Sequence, residues 1–232
     1  MARNTQLLKL LEMLRAETGK STLVSAGLDT VPAQKQKLQR VQETLYDAYA
    51  WPFLRVFPDK TLSAGQRYYD APTNLNFDRI EKVVIWNSGQ PIPVERGISF
   101  EQYASYDSES GVRMDPVLRW DLRWNDTATQ IEVWPIPASN NQRLQFQGIR
   151  PLRPLIANDD RADLDDQLIV LFAASELLSR QSSKDADKVE KAAQKRWQTV
   201  TGNTQSGAQP VIMGGGAWPT QPLRGHTIIR VK

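Results

Sequence analysis

The stretch Leu118-Arg119-Trp120-Asp121-Leu122-Arg123-Trp124-Asn125 decides how the middle of this chain folds. Its apolar residues fall on every second position, the period of a strand with one buried and one wet face. On that reading Leu118, Trp120, Leu122 and Trp124 form a core face, and Arg119, Asp121, Arg123 and Asn125 face water. The same period continues through Ile131 and Val133, and through Leu144 and Phe146 set against Arg143, Gln145 and Gln147. Upstream, Ile80 to Trp86 is a strand that ends at the turn signal Asn87-Ser88-Gly89. Between the two, Ser99-Phe100-Glu101-Gln102 has the spacing of a capping box, so Ser99 is expected to cap a short helix. Residues 56–155 therefore read as a small antiparallel β domain.

Helical period flanks this segment on both sides. Leu7, Leu10, Leu11 and Leu14 stand at i, i+3, i+4 and i+7, and Gly19 is placed to stop their helix. A second helix starts near Pro32, buries Leu38, Val41, Leu45 and Ala48, and ends before Pro52. Gln34 to Lys37, Gln39, Arg40 and Gln42 are expected on its wet face. After the β segment, Leu164, Leu168, Leu171, Phe172, Ser175 and Leu178 share one face of a third helix. Ser183 or Asp185 caps a fourth, with Ala186, Val189, Ala193, Trp197 and Val200 facing inward and Gly202-Asn203 ending it. Isolated helices of this length are marginal in water, so each requires a partner. The expected fold class is α+β: a helical bundle from residues 1–55 and 156–201, with the β domain of 56–155 inserted between its halves.

Residues 202–232 have a different composition. They hold six of the chain's 13 glycines together with Pro210, Pro219 and Pro222, and no Asp or Glu. Such a stretch cannot fold alone. Its apolar residues nevertheless exceed those of a solvated linker, which would be rich in Ser or Gln. We expect an extended C-terminal docking arm whose partner-binding residues are Val211, Ile212, Met213, Trp218, Leu223, Ile228, Ile229, Arg230 and Val231. Thr227 to Val231 has the strand propensity of a segment that pairs with an exposed sheet edge.

Composition narrows the chemistry. The chain has 232 residues, no cysteine and one histidine, His226, so disulfide frameworks, thiolate catalysis and Cys/His zinc sites are excluded. His226 has no acid near it in sequence and is improbable as a catalytic base. The 29 basic and 26 acidic residues leave a net charge of +3, and Arg224, Arg230 and Lys232 account for all of it. The body is thus neutral, which argues against a dedicated duplex-DNA binder. Met1-Ala2-Arg3-Asn4 leads into an amphipathic stretch, and no run nears the ~20 apolar residues of a membrane span, so a soluble, intracellularly made protein without membrane contact is expected.

Several motifs invite a sharper reading than they support. Gly19-Lys20-Ser21 mimics the end of a P-loop, but Leu14 stands where the earlier glycine belongs and a helix precedes it, so a helix stop is the better reading. Asp159, Asp160, Asp163, Asp165 and Asp166 could hold a cation or do acid–base work in an enzyme. They lack EF-hand spacing and lie at a helix start, where carboxylates cap free N–H groups; helix initiation is the expectation, with no metal or cofactor. Trp120 and Trp124 with Arg119 and Arg123 suit single-stranded nucleic acid only if rings and charges share an accessible face, and strict alternation separates them. Trp134 falls on the wet face, as a protein contact or an exposed edge residue. Asn125-Asp126-Thr127 fits a glycosylation acceptor, with no secretion signal to support it.

The order of parts, with some local phrasing, resembles the head-to-tail adaptor proteins of tailed bacteriophages, also called connectors or tail accessory factors. The likeness is carried by Thr5-Gln6-Leu7-Leu8-Lys9-Leu10-Leu11, by Leu45-Tyr46-Asp47-Ala48-Tyr49-Ala50-Trp51-Pro52-Phe53, and by Tyr68-Tyr69-Asp70-Ala71-Pro72. Lys82-Val83-Val84-Ile85-Trp86 and Ile131-Glu132-Val133-Trp134-Pro135-Ile136-Pro137 continue it ahead of the late helices and the tail. The resemblance implies a structural virion protein at the head–tail junction, assembled in the host cytoplasm. It implies a ring, commonly a dodecamer, seated below the portal protein and joined to a tail or nozzle protein. In such proteins the helical core makes ring contacts, the β insertion faces neighbours and the C-terminal arms reach into the portal. Double-stranded DNA passes through the channel without being read, and no catalytic residues are implied. A monomeric binding module, taking single-stranded nucleic acid or carbohydrate on the aromatic sheet, is the alternative.

Overall fold

The computed structural model describes residues 3–21, 30–105 and 112–205, the last three by backbone alone. Helix α1 (Leu7–Glu17) forms where the leucine stripe requires it, and Leu7, Leu10, Leu11 and Leu14 are all fully buried. It stops at Gly19, whose φ of +66° lets Gly19 N donate to Ala16 O and Lys20 N to Arg15 O. Helix α2 (Val31–Ala48) carries Pro32 in its first turn and buries Leu38, Val41 and Leu45. Ala48, expected inside, is exposed, and Tyr46 is buried instead.

The wet face expected for α2 is partly a buried polar face. Gln34, Lys37 and Gln42 are buried because each has a partner. Gln34 accepts from Arg15 Nε at 3.0 Å, and Lys37 pairs with Glu176. Gln42 donates to the Arg153 carbonyl at 3.2 Å and accepts from Asp163 N at 3.1 Å.

Helix α4 (Asp166–Arg180) touches α1, α2 and α5 (Ala186–Gln205). That central place explains why its buried surface is wider than one stripe: Ile169, Val170, Ala173 and Ala174 are buried alongside Leu168, Ser175 and Leu178. Leu171 and Phe172 are only half-buried. Ala193 and Val200 of α5 are buried, and Val189 and Trp197 pack against the cluster that holds Val200. The helix runs on to Gln205, past the expected stop at Gly202-Asn203, since a glycine within a helix costs only about 1 kcal/mol. Fully buried Trp51, just after α2, packs edge-on against Trp197 at 5.8 Å and donates to the Leu45 carbonyl at 3.0 Å.

The segment between α2 and α4 forms two sheets. One has the order β1 (Arg55–Val56), β9 (Gln142–Ile149), β4 (Ile80–Asn87), β5 (Gln90–Pro93), with β2 (Asp59–Thr61) also paired to β9. The other has the order β3 (Tyr68–Asp70), β8 (Thr129–Trp134), β7 (Arg119–Trp124), β6 (Glu95–Arg96). All pairs are antiparallel except β6 with β7, a parallel departure from the expected pattern. The β4–β5 hairpin turns at Ser88 and Gly89, both at positive φ, as a two-residue hairpin turn requires. Leu144, Phe146, Ile131, Val133 and Trp120 from both sheets share one core, where Trp120 meets Phe146 edge-on at 5.7 Å.

Strand β7 departs from the expected separation into one core face and one wet face. Trp120 is buried and Leu122 packs against the core, but Leu118 is 41% and Trp124 is 67% exposed. The alternation is real, yet the buried cluster ends at Leu122, and Trp124 sits beyond it, paired with Thr129 at the hairpin end.

Arg79 ties sheet to helices at the end of α2. It donates to the carbonyls of Tyr46 and Tyr49, and its guanidinium lies 4.4 Å over the Tyr46 ring. Among the described residues no helix is long and apolar enough to cross a membrane.

Candidate functional site

Helix α3 (Phe100–Ser105) starts with the reciprocal cap expected of it: Gln102 N donates to Ser99 Oγ, and Ser99 N to Gln102 Oε1. This short helix lies against the outer face of β3, β8 and β7. Trp134, expected on a wet face, is half-buried there and donates its Nε1 to the Gln102 carbonyl. Beside α3 opens a cleft of about 630 Å³ whose lining includes Tyr68, Phe100, Tyr103, Arg123, Trp124 and Asn125. Phe100 is 82% exposed.

A charge network floors this cleft. Glu132, on β8, is fully buried, and a buried carboxylate requires paired donors. Arg67 Nε reaches it at 2.7 Å and Arg123 Nε at 2.5 Å. The Arg67 guanidinium also stacks 3.8 Å above the Tyr103 ring, and that of Arg123 lies 5.6 Å from the same ring. Burial, the hydrogen bond with Tyr103 and the nearby Glu132 charge push the Tyr68 hydroxyl up to about 12. The bond to Glu132 raises Arg123 further above its usual range. Tyr68 and Arg123 thus hold their protons through neutral pH, which suits a rigid contact surface rather than proton transfer.

The acidic cluster is dispersed into separate structural duties. Asp165 caps α4, accepting from Leu168 N at 3.0 Å, and pairs with Arg196 at 2.7 Å. Asp160 accepts from Ile156 N and Ala157 N, which holds its carboxyl below the usual range. Asp163 has a fully buried side chain; burial pushes its carboxyl up, but bonds from Arg150, Arg153 N and the Arg153 side chain outweigh this and leave it below the usual range. Helix initiation by Asp165 is as expected, whereas the clamp of Asp163 on two arginines was not. Among the described residues no group of three or more His, Cys, Asp or Glu is placed to hold a metal ion. Asn125-Asp126-Thr127 is the β7–β8 turn, where Asn125 Oδ1 accepts from Thr127 N and Ala128 N.

The expected arm residues Val211, Ile212, Met213, Trp218, Leu223, Ile228, Ile229, Arg230 and Val231, and His226, lie outside the described residues. What the sequence reading missed is the cleft, because it assigned Trp124 to the core. The available signal was the position of Trp124 directly before the Asn125-Asp126 turn, where a strand outruns its core.

No curated protein matches the chain. The family described as SU10 adaptor protein matches residues 6–209, from just before α1 to beyond α5 and therefore across both cores. The chain belongs to this family of bacteriophage adaptor proteins.

Proposed function

We propose that the chain is a structural virion protein that assembles into a ring, a dodecamer, at the head–tail junction, where it joins the portal protein to a tail or nozzle protein and lets double-stranded DNA pass. The observation that carries this reading is the family match across residues 6–209. The surface is consistent with assembly, because Phe100 and Trp124, both more than half exposed, line the same cleft, and grouped exposed rings suit a contact with another chain. Outside residues 202–232, 26 basic residues face 26 acidic ones, so the body lacks the cationic field that would hold duplex DNA in place. In this reading residues 1–55 and 156–201 make the ring contacts, 56–155 face neighbours, and 202–232 dock on a partner through the arm residues named above. Electron microscopy of particles with and without the protein tests it: a ring at the junction that disappears with the protein is expected, and an unchanged junction contradicts it.

A second reading follows from the exposure of Trp124: a monomeric binding module that takes single-stranded nucleic acid or carbohydrate on the aromatic cleft. Titration with oligonucleotides and sugars, read by tryptophan fluorescence, separates the two.

A further inference from the structure

Resting on the adaptor reading, we propose that the aromatic cleft beside α3 receives the segment Pro219-Thr220-Gln221-Pro222-Leu223-Arg224 from the arm of a neighbouring copy. The segment has Pro-x-x-Pro spacing. Proline holds φ near −65°, and a polyproline II helix has three residues per turn, so prolines at this spacing would fall on one face of the bound segment. Segments of this kind bind aromatic-lined grooves, where flat rings pack on the pyrrolidines and little chain entropy remains to be lost.

The cleft matches that chemistry. Tyr68, Phe100, Tyr103 and Trp124 line it. Tyr103 is pinned under Arg67, and Tyr68 is hydrogen-bonded to Tyr103, so two of the four rings are already ordered before anything binds. Asn125 and Gln130 supply amides for the carbonyls of a polyproline II strand, which makes no hydrogen bonds of its own. The acidic Glu101 and Asp126 adjoin Phe100 and Asn125 in sequence and are exposed, which suits Arg224 two residues beyond Pro222. Among the described residues Arg123 is the one cation in the lining, and its Nε is bound to Glu132.

Reach permits a neighbour as the donor. Residues 206–218 separate the end of α5 from Pro219 and span up to about 45 Å when extended, so Pro219 is not confined to the neighbourhood of its own helix. The chain itself carries the matching ligand, one arm per cleft, whereas a sugar or an oligonucleotide would have to come from elsewhere.

The test uses a fluorescein-labelled peptide of residues 216–226, added to full-length chain carrying Pro219→Ala and Pro222→Ala so that its own arm does not compete. Saturable anisotropy is expected, weakened on the order of tenfold or more by Trp124→Ala in the host and by alanines at both prolines of the peptide. Binding indifferent to Trp124 or to the prolines overturns the proposal, as does saturation by a labelled oligothymidine or maltohexaose where the peptide fails. Because the chain has no cysteine, Gln130→Cys on one copy and Leu223→Cys on another report the donor. A disulfide-linked dimer in the mixture is expected; cross-linking only when both cysteines share one chain assigns the segment to its own copy and overturns the proposal. Rings that form while the peptide does not bind leave the adaptor reading standing and defeat this one.

Discussion

The guanidinium of Arg67 lies 3.8 Å over the ring of Tyr103, and this stacking joins the edge of the β3–β8 sheet to helix α3. The same arginine holds Glu132, so one buried side chain both neutralises a carboxylate and supports the wall of the cleft. The site is therefore built from the inside: a fixed charge floor under exposed rings.

Glu132→Gln removes the anion and leaves two arginines facing one another, one of them fully inside. Breaking a buried pair in this way costs about 3–5 kcal/mol. Chemical denaturation is expected to show a loss of that size, with Arg67→Met more damaging than Arg123→Met, because the Arg123 side chain is 52% exposed and can rehydrate. Equal losses for the two arginines contradict the network.

Asp163 predicts an acid limb in the stability curve. Its folded carboxyl is held below the usual value, against an unfolded value of about 3.9. The stabilisation is complete above the unfolded value and is lost as pH falls through the folded one. Asp163→Asn should be less stable at pH 7, by roughly 1.5–3 kcal/mol for hydrogen bonds to a charged group. The gap from wild type should close as pH falls below ~4; a gap independent of pH between 7 and 2 contradicts the assignment.

Gly148, on β9, is a close-approach position. A Cβ there would stand 2.7 Å from Leu75 Cδ1 and 2.9 Å from the carbonyl oxygen of Arg79. Gly148→Ala should cost about 1–3 kcal/mol through strain at the base of β4. Gly202→Ala, whose Cβ meets nothing within 4 Å, should be neutral or slightly stabilising. Thermal melts of the two variants distinguish them, and similar shifts would refute the packing argument.

The four leucines of α1, the Ser99 cap and the Asn87-Ser88-Gly89 turn were legible because each depends on spacing within a few residues. The buried glutamines of α2 were not, because their partners Arg15, Arg153 and Asp163 are remote in sequence or in another element. Trp124 was misassigned for a related reason: alternation reports which face a residue is on, and not where along the strand the opposing core stops. Glu132 is buried against Arg67, 65 residues away in sequence, and Arg123 on the next strand, so its burial leaves no trace in the pattern around it. Periodicity identified the elements, whereas the cleft arises from three strands and a helix meeting.

On the proposed function, one copy of this chain is an incomplete object. Light-scattering mass of the full-length chain, measured across a concentration series alone and with the portal protein proposed as its partner, tests that most directly. The expected result is a discrete ring mass, a fixed multiple of 26.3 kDa, in at least the mixture. A mass of one chain at every concentration, with the partner present, would contradict it.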